Sequence, residues 1–270
     1  MKGNTSDIHS TAIIHKGAEL GQDVKVGPYA IIYGPTQIGD GCSIGPHAIV
    51  YPYTTLGMKC RIHAGAILAD LPQDVAFEGV VESYLTIGDR TILREGFTAH
   101  RGTEEGSTTS IGSDCFLMGH VHVAHNARLE NGVLAANGTL IAGHAEIQDG
   151  AFLSGNVAVH QFVRVGRLAM MGGGSTVTKD VPPFCTTPPV TNNRVVGLNV
   201  VGLRRAGISS ADRLQLKSAF RRFYLFGTNM RGIAAELRAE NSEGPVHEFA
   251  EFILASKRGV CAHLHPPPSA

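Results

Sequence analysis

Every sixth residue from Ile8 to Leu68 is aliphatic, in the unbroken series Ile8, Ile14, Leu20, Val26, Ile32, Ile38, Ile44, Val50, Leu56, Ile62 and Leu68. An amphipathic helix repeats near 3.6 residues and a half-buried strand near 2, so neither produces this spacing over so many steps. A glycine follows several of these positions, as at Gly21, Gly27, Gly39, Gly45 and Gly57. The register breaks after Leu68, resumes at Ile87, Leu93 and Ala99, loosens across Thr103–Ser110, and then runs from Ile111 to Val177. A hexapeptide that supplies one short strand and one turn fits this pattern. Its aliphatic side chain points inward, and Gly or Asn relieves the turn. Three such units make a coil of about 18 residues, and stacked coils form a parallel β-helix. Its interior is a narrow aliphatic stack, consistent with a chain of 270 residues that has no Trp and only 6% aromatic residues.

The expected organisation is a mainly β chain. Residues 1–190 form the β-helix, with loops at about 69–86 and 103–110, and residues 191–270 form a small α-helical C-terminal domain. The repeat stops near Asp180, where Pro182 and Pro183 cannot continue a hydrogen-bonded ladder. Beyond it, Ser209 or Ser210 caps a helix carrying Leu214, Phe220, Phe223 and Tyr224 on its apolar side. Thr228 precedes a second helix with Ile233 and Leu237, and Pro245 opens a third with Phe249, Phe252 and Ile253. The tail from Ala262 reads as disordered.

Net charge is zero, with 23 basic and 23 acidic residues, so nothing global attracts nucleic acid. The balance is uneven along the chain. Residues 1–190 hold 12 Lys/Arg against 17 Asp/Glu, whereas residues 191–270 hold 11 against 6. The five cysteines are scattered with no Cys-x-x-Cys spacing, which fits a reducing compartment better than a disulfide frame or a zinc ribbon. With no apolar stretch near the ~20 residues of a membrane span and no signal-peptide pattern, the expectation is a cytoplasmic protein without an integral membrane segment.

The 13 histidines carry the most informative chemistry. His122 and His125 lie in His-Val-Ala-His-Asn, His144 in Ala-Gly-His-Ala, and His160 in Val-His-Gln-Phe. One coil beyond His125 comes Gly143, and one further comes Gln161, so these three should stack in a column with His144 and His160 beside it. Neighbouring coils lie about 4.8 Å apart, close enough for groups on three coils to meet one substrate. A zinc site is a second reading of the same histidines, as in the γ-class carbonic anhydrases, which share the hexapeptide coil. A basic helical module has no obvious purpose there, and the reading adopted is that no metal is bound.

From Ile8 to about Lys257 the chain resembles the UDP-N-acetylglucosamine O-acyltransferases, which open lipid A synthesis. The matching stretches are Ile-Gly-Asp-Arg (87–90), His-Arg-Gly-Thr (100–103), His-Val-Ala-His-Asn (122–126), Leu-Ile-Ala-Gly-His (140–144), Val-His-Gln-Phe (159–162), Lys-Asp-Val-Pro-Pro (179–183) and Gly-Leu-Arg-Arg (202–205). The resemblance implies left-handed coils, a homotrimer with active sites between neighbouring prisms, and an acyl donor on the phosphopantetheine of acyl carrier protein, with no other cofactor. It implies that His125 is the general base, with Asn126 beside it, and that the Gly143 N–H stabilises the oxyanion. It further implies that Gln73, Asp74, His122, His144, His160 and Gln161 contact the sugar nucleotide, that Asn199, Arg204 and Arg205 contact nucleotide and phosphate, and that Gly173 leaves room for a longer acyl chain.

Three positions depart from the family pattern, with Ala76 where Lys is usual, Val201 where Glu is usual, and Asn126 where Asp is frequent. Asn126 orients an imidazole by hydrogen bonding but does not stabilise imidazolium by charge. Ala76 and Val201 remove polar contacts to the acceptor, which leaves open N-acylation of a 3-amino UDP-sugar. A non-catalytic binding protein is the third alternative. The basic module, with Arg221 and Arg222, is the expected dock for the acidic carrier protein.

Overall fold

The computed structural model describes residues 6–79, 81–225 and 229–264. Among them, short strands stack into three long sheets of eleven, nine and eight strands, the three faces of a prism. The first sheet starts at Asp7–Ile8, the second at Ile13–Ile14 and the third at Ala18–Leu20. Successive coils pair in parallel with matched rungs: Ile14 opposite Ile32, Ile32 opposite Val50, and Val50 opposite Leu68. The six-residue series is therefore the inward series. Ile32, Ile62, Leu68, Leu93, Leu117 and Ile141 are at most 2% exposed, and each such side chain contributes about 1.5–3 kcal/mol by leaving water. Polar groups inside the prism are satisfied by the turns. Thr91 Oγ1 donates to the Gly112 carbonyl at 2.8 Å, and the Cys60 and Cys115 thiols donate to Gly88 and Glu130 carbonyls at 3.1 Å each. All five cysteines are free and buried.

The two breaks in the repeat are loops between strands. One joins Ile67–Asp70 to Tyr84–Ile87, and the other joins Thr98–His100 to Thr108–Ile111. The first is tied down by Arg101, only 6% exposed, whose guanidinium donates to the Val81 carbonyl at 2.9 Å and lies 5.6 Å from the Phe77 ring centre.

The prism's first sheet continues through Cys185–Thr187, which pairs in parallel with Met170–Met171 and antiparallel with Gly197–Leu198. Among the described residues four helices follow: α1 (Val200–Arg205), α2 (Ser210–Leu225), α3 (Met230–Glu240) and α4 (Gly244–Ala255). The short α1 has too little apolar periodicity to be read from sequence. It is set by Asn199, whose Oδ1 accepts from Gly202 N–H at 2.9 Å. Ser209 caps α2, accepting from Asp212 N–H at 3.0 Å. Asn229 caps α3, and Thr228 lies outside the described residues.

Phe220, Phe223 and Tyr224 pack inward as expected, but Leu214 does not: it is 70% exposed. The tail also differs from expectation. Ala262–His263 forms a parallel pair with Arg194–Val195, and the Tyr224 hydroxyl donates to the Cys261 carbonyl at 3.0 Å, so order extends past Ala262. Residues from 265 onward lie outside the described residues. The helices pack beside the prism, where Arg167 makes a bidentate pair with Glu248 on α4 at 2.7–3.0 Å.

Candidate active site

The residue before each inward aliphatic points outward, and on the second sheet these residues form one ladder through the matched rungs. It runs Thr98, His122, Leu140, Ala158, Thr176. Along it lies a cleft of about 750 Å³ whose walls include Gln73, His122, His125, Gly143, His160 and Gln161. Leu140, 52% exposed, gives its floor an apolar strip.

The expected column is present at the corner that follows this sheet. His144 N–H donates to the His125 carbonyl at 3.1 Å, and Phe162 N–H to the Gly143 carbonyl at 3.2 Å, stacking the three turns in register. His125 lies over the next turn. A Cβ on Gly143 would sit 2.7 Å from His125 Cε1 and 2.8 Å from its Nε2, so only glycine admits the ring there. Among the described residues the Gly143 N–H has no acceptor in the chain.

Asn126 decides which nitrogen of His125 carries the proton. Its Oδ1 accepts the Thr103 backbone N–H at 3.1 Å and the Thr103 hydroxyl at 2.9 Å. A backbone N–H can only donate, which fixes the facing amide atom as oxygen. The same Oδ1 is 3.0 Å from His125 Nδ1. Nδ1 therefore donates, leaving Nε2 as an unprotonated base on the cleft side.

The neighbouring imidazoles are held neutral. Burial first, then the adjacent His100 and His125, pushes His122 down to about 4. His122 Nδ1 pairs with the Thr98 hydroxyl at 2.8 Å, and its ring meets that of His100 edge-on at 5.0 Å. Burial also lowers His100, partly offset by Asp70. Burial and then His125 lower His144, whose ring lies 5.4 Å from His125 and stacks on Phe162 at 4.6 Å.

Asp74, next to the cleft-lining Gln73, accepts the Ala76 N–H at 2.9 Å, and its charge acts on His144. Gly173 lies at the other corner of the second sheet. Its φ is not positive, and a Cβ there would come no nearer than 3.5 Å, to the Gly155 carbonyl. Neither the turn nor the packing demands a glycine at that position. Asn199, Arg204 and Arg205 are not brought to this cleft within one chain. Asn199 caps α1 and donates from Nδ2 to the Leu168 carbonyl at 2.9 Å, while Arg204 and Arg205 are exposed at the end of α1.

Among the described residues no three or more His, Cys, Asp or Glu side chains are arranged to hold a metal ion. No described helix is long and apolar enough to cross a membrane.

This combination of coil, histidine cleft and helical end has close counterparts. Residues 180–261 match the family profile described as "Udp N-acetylglucosamine O-acyltransferase; Domain 2". Residues 17–52 and 35–70 match the profile "Bacterial transferase hexapeptide (six repeats)". The acyl-[acyl-carrier-protein]–UDP-N-acetylglucosamine O-acyltransferase of Alkalilimnicola ehrlichii is 47% identical over 255 residues, covering 94% of this chain and 98% of that protein. That of Aliarcobacter butzleri is 43% identical over 258 residues, with the same coverage. The chain belongs to the UDP-N-acetylglucosamine O-acyltransferase family.

Solved members superpose closely. The Francisella novicida UDP-N-acetylglucosamine acyltransferase gives a TM-score of 0.91 at 32% identity, covering 95% of this chain and 94% of that one. The Campylobacter jejuni enzyme gives 0.89 at 33%, covering 95% and 99%. As in this acyltransferase family, the fold is the left-handed parallel β-helix with a small helical C-terminal domain. Thr98, His100, Thr103 and Thr109 complete the surroundings of the histidines in this member, and sequence reasoning passed over them as site residues. His100 and Thr103 sit in the His-Arg-Gly-Thr stretch, yet the loop between Thr103 and the next strand breaks the 18-residue step that would have aligned them with His122 and Asn126.

Proposed function

We propose that this chain transfers an acyl group, of the (R)-3-hydroxyacyl type, from acyl carrier protein to the 3-hydroxyl of UDP-N-acetylglucosamine, the opening step of lipid A synthesis. The observation that carries the reading is the His125 ring, with its unprotonated Nε2, packed against Gly143, whose N–H has no acceptor among the described residues. The sugar hydroxyl oxygen attacks the thioester carbonyl carbon while its proton passes to His125 Nε2. The carbonyl oxygen becomes an oxyanion and accepts the Gly143 N–H. When the intermediate collapses, the C–S bond breaks and the imidazolium returns the proton to the departing phosphopantetheine thiol. His122 and His144, kept neutral, offer hydrogen bonds to the sugar nucleotide without repelling the imidazolium that forms on His125. Gln73, Asp74, His160 and Gln161 are assigned to the acceptor, and the apolar strip at Leu140 and Ala158 to the acyl chain. Gly173 leaves the far corner open to a longer chain.

The outer faces support a trimer. The first sheet presents the ladder Ile92, Phe116, Leu134, Phe152, Met170. The second presents Ile13, Ile31, Ile49, Ile67 before its catalytic half. The third is polar, with Ser110, Arg128, Glu146 and Arg164. The earlier coils of the first sheet are instead polar, with Asp7, Lys25, Ser43 and Arg61 outward. Apolar stretches on two faces, against a third that is polar, suit a prism that meets a neighbour on two sides and water on the third. In such an assembly Asn199, Arg204 and Arg205 reach a neighbour's cleft.

Carrier-protein docking shifts from the Arg221/Arg222 pair to the face of α2 where Arg213, Lys217 and Arg221 border an apolar groove with Leu214. Arg222 is occupied by Glu236 and Glu240 on α3, at 2.5 and 2.7 Å.

Mass spectrometry of products from a panel of acyl carrier protein donors with UDP-N-acetylglucosamine and its 3-amino analogue tests the reading. The expected product is the 3-O-acyl sugar nucleotide, absent with His125→Ala. Product from the amino sugar alone, or turnover undiminished in His125→Ala, overturns it.

A further inference from the structure

The second loop has no place in the chemistry above, yet it reaches directly behind the base. Its Thr103 gives Asn126 Oδ1 both a backbone N–H, at 3.1 Å, and a hydroxyl, at 2.9 Å. At the end of the same loop, Thr109 Oγ1 accepts the Asn126 backbone N–H at 2.7 Å. The loop is itself pinned. The buried Ser83 hydroxyl donates to the Gly102 carbonyl at 2.6 Å, and Ser107 Oγ receives Glu104 N–H at 2.9 Å while donating to the Glu104 carbonyl at 2.7 Å. Asn126 is thus gripped at its backbone by one threonine and at its amide oxygen by another.

The grip has a consequence for the neutral residue. A primary amide turned over about its last bond presents NH₂ instead of oxygen, and NH₂ facing His125 Nδ1 would select the opposite tautomer, with the proton on Nε2. That tautomer has no lone pair on the side facing the cleft. A carboxylate, with two equivalent oxygens, would not need this protection.

We propose that Thr103 is a positioning residue of this chain. Acting through Asn126, its paired N–H and O–H hold the amide oxygen toward His125 and so keep the Nε2 base unprotonated. The assignment rests on the acyl-transfer reading only for its effect on rate; the tautomer itself is measurable without turnover.

Thr103→Val removes the hydroxyl while leaving the backbone N–H. Loss of one hydrogen bond predicts a kcat lower by about fivefold, with KM for UDP-N-acetylglucosamine unchanged, and Thr103→Ser restores the rate. In an Asn126→Ala background, Thr103→Val has no further effect. Nitrogen NMR of the full-length protein should find His125 protonated at Nδ1 in the parent, with the Nε2-protonated form growing in Thr103→Val. If the parent transfers no acyl group but its ring is the Nδ1 tautomer, the functional reading falls and the positioning role stands. An unchanged tautomer in Thr103→Val, or an equal loss of kcat with and without Asn126, overturns the proposal.

Discussion

The second sheet has two halves that are alike inside and different outside. Inward, both are an aliphatic stack: Ile14, Ile32, Val50 and Leu68 below, Val123, Ile141, Val159 and Val177 above. Outward, four isoleucines give way to Thr98, His122, Leu140, Ala158 and Thr176. The change falls where the two loops enter the coil. One position per hexapeptide specifies the fold, and the position before it faces outward and is free to differ between the halves, which on the proposed reading serve assembly and chemistry.

The sharpest way to break this division is to remove chemistry from the outside without touching the inside. His125→Ala should lower kcat by about 10²- to 10⁴-fold while leaving the melting temperature close to that of the parent, read by calorimetry. A parallel fall in stability would mean that the histidine corner is part of the scaffold. Gly143→Ala probes the same corner from the next coil. Its Cβ would come within 2.7 Å of the His125 ring, and the resulting displacement should lower kcat about 10²-fold with less effect on KM. An Ala variant with parental kcat would show that the ring needs no such fixed position.

The lower half offers a cleaner contrast, because two adjacent isoleucines face opposite ways. Ile32 is fully buried, whereas Ile31 is on the outer ladder. Ile32→Ala should cost about 2–5 kcal/mol of stability in chemical denaturation. Ile31→Ala should cost under about 1 kcal/mol within the chain but weaken association, seen by sedimentation. Equal effects would erase the distinction between an inside that folds and an outside that assembles.

The fold was legible because its determinant is strictly periodic. Eleven aliphatics at one spacing leave few alternatives, and the spacing names the inward positions one by one. The column of His125, Gly143 and Gln161 followed from coil length alone, since no loop interrupts the chain between them. Thr103 and His100 were not legible as partners of Asn126 and His122, because the second loop separates them by a non-repeating length. Leu214 misled for another reason: helical periodicity marks an apolar face but not whether a partner covers it. The strand at Ala262–His263 was invisible because its pairing partner, Arg194–Val195, is remote in sequence.

The smallest expected effect concerns pH. His122, on the catalytic half, is pushed down to about 4 from the ordinary imidazole value of 6.5, chiefly by burial. His100 and His144 are lowered in the same direction. An unfolded chain takes up the His122 proton near 6.5, whereas the folded chain resists until near 4. Between those limits the unfolded state binds more protons, so stability should fall as pH drops from 6.5 and level off, for this group, below about 4. Among the described residues the Thr98 hydroxyl and the His100 and His125 rings act on His122, none of them anionic, and no ion pair there compensates the buried charge. His122→Gln keeps a polar side chain on the rung and removes the titration. Its melting temperature should therefore decline less steeply than the parent's over the same range. Matching slopes would place the acid sensitivity elsewhere, and the catalytic half would then be no more sensitive to protons than the isoleucine half beneath it.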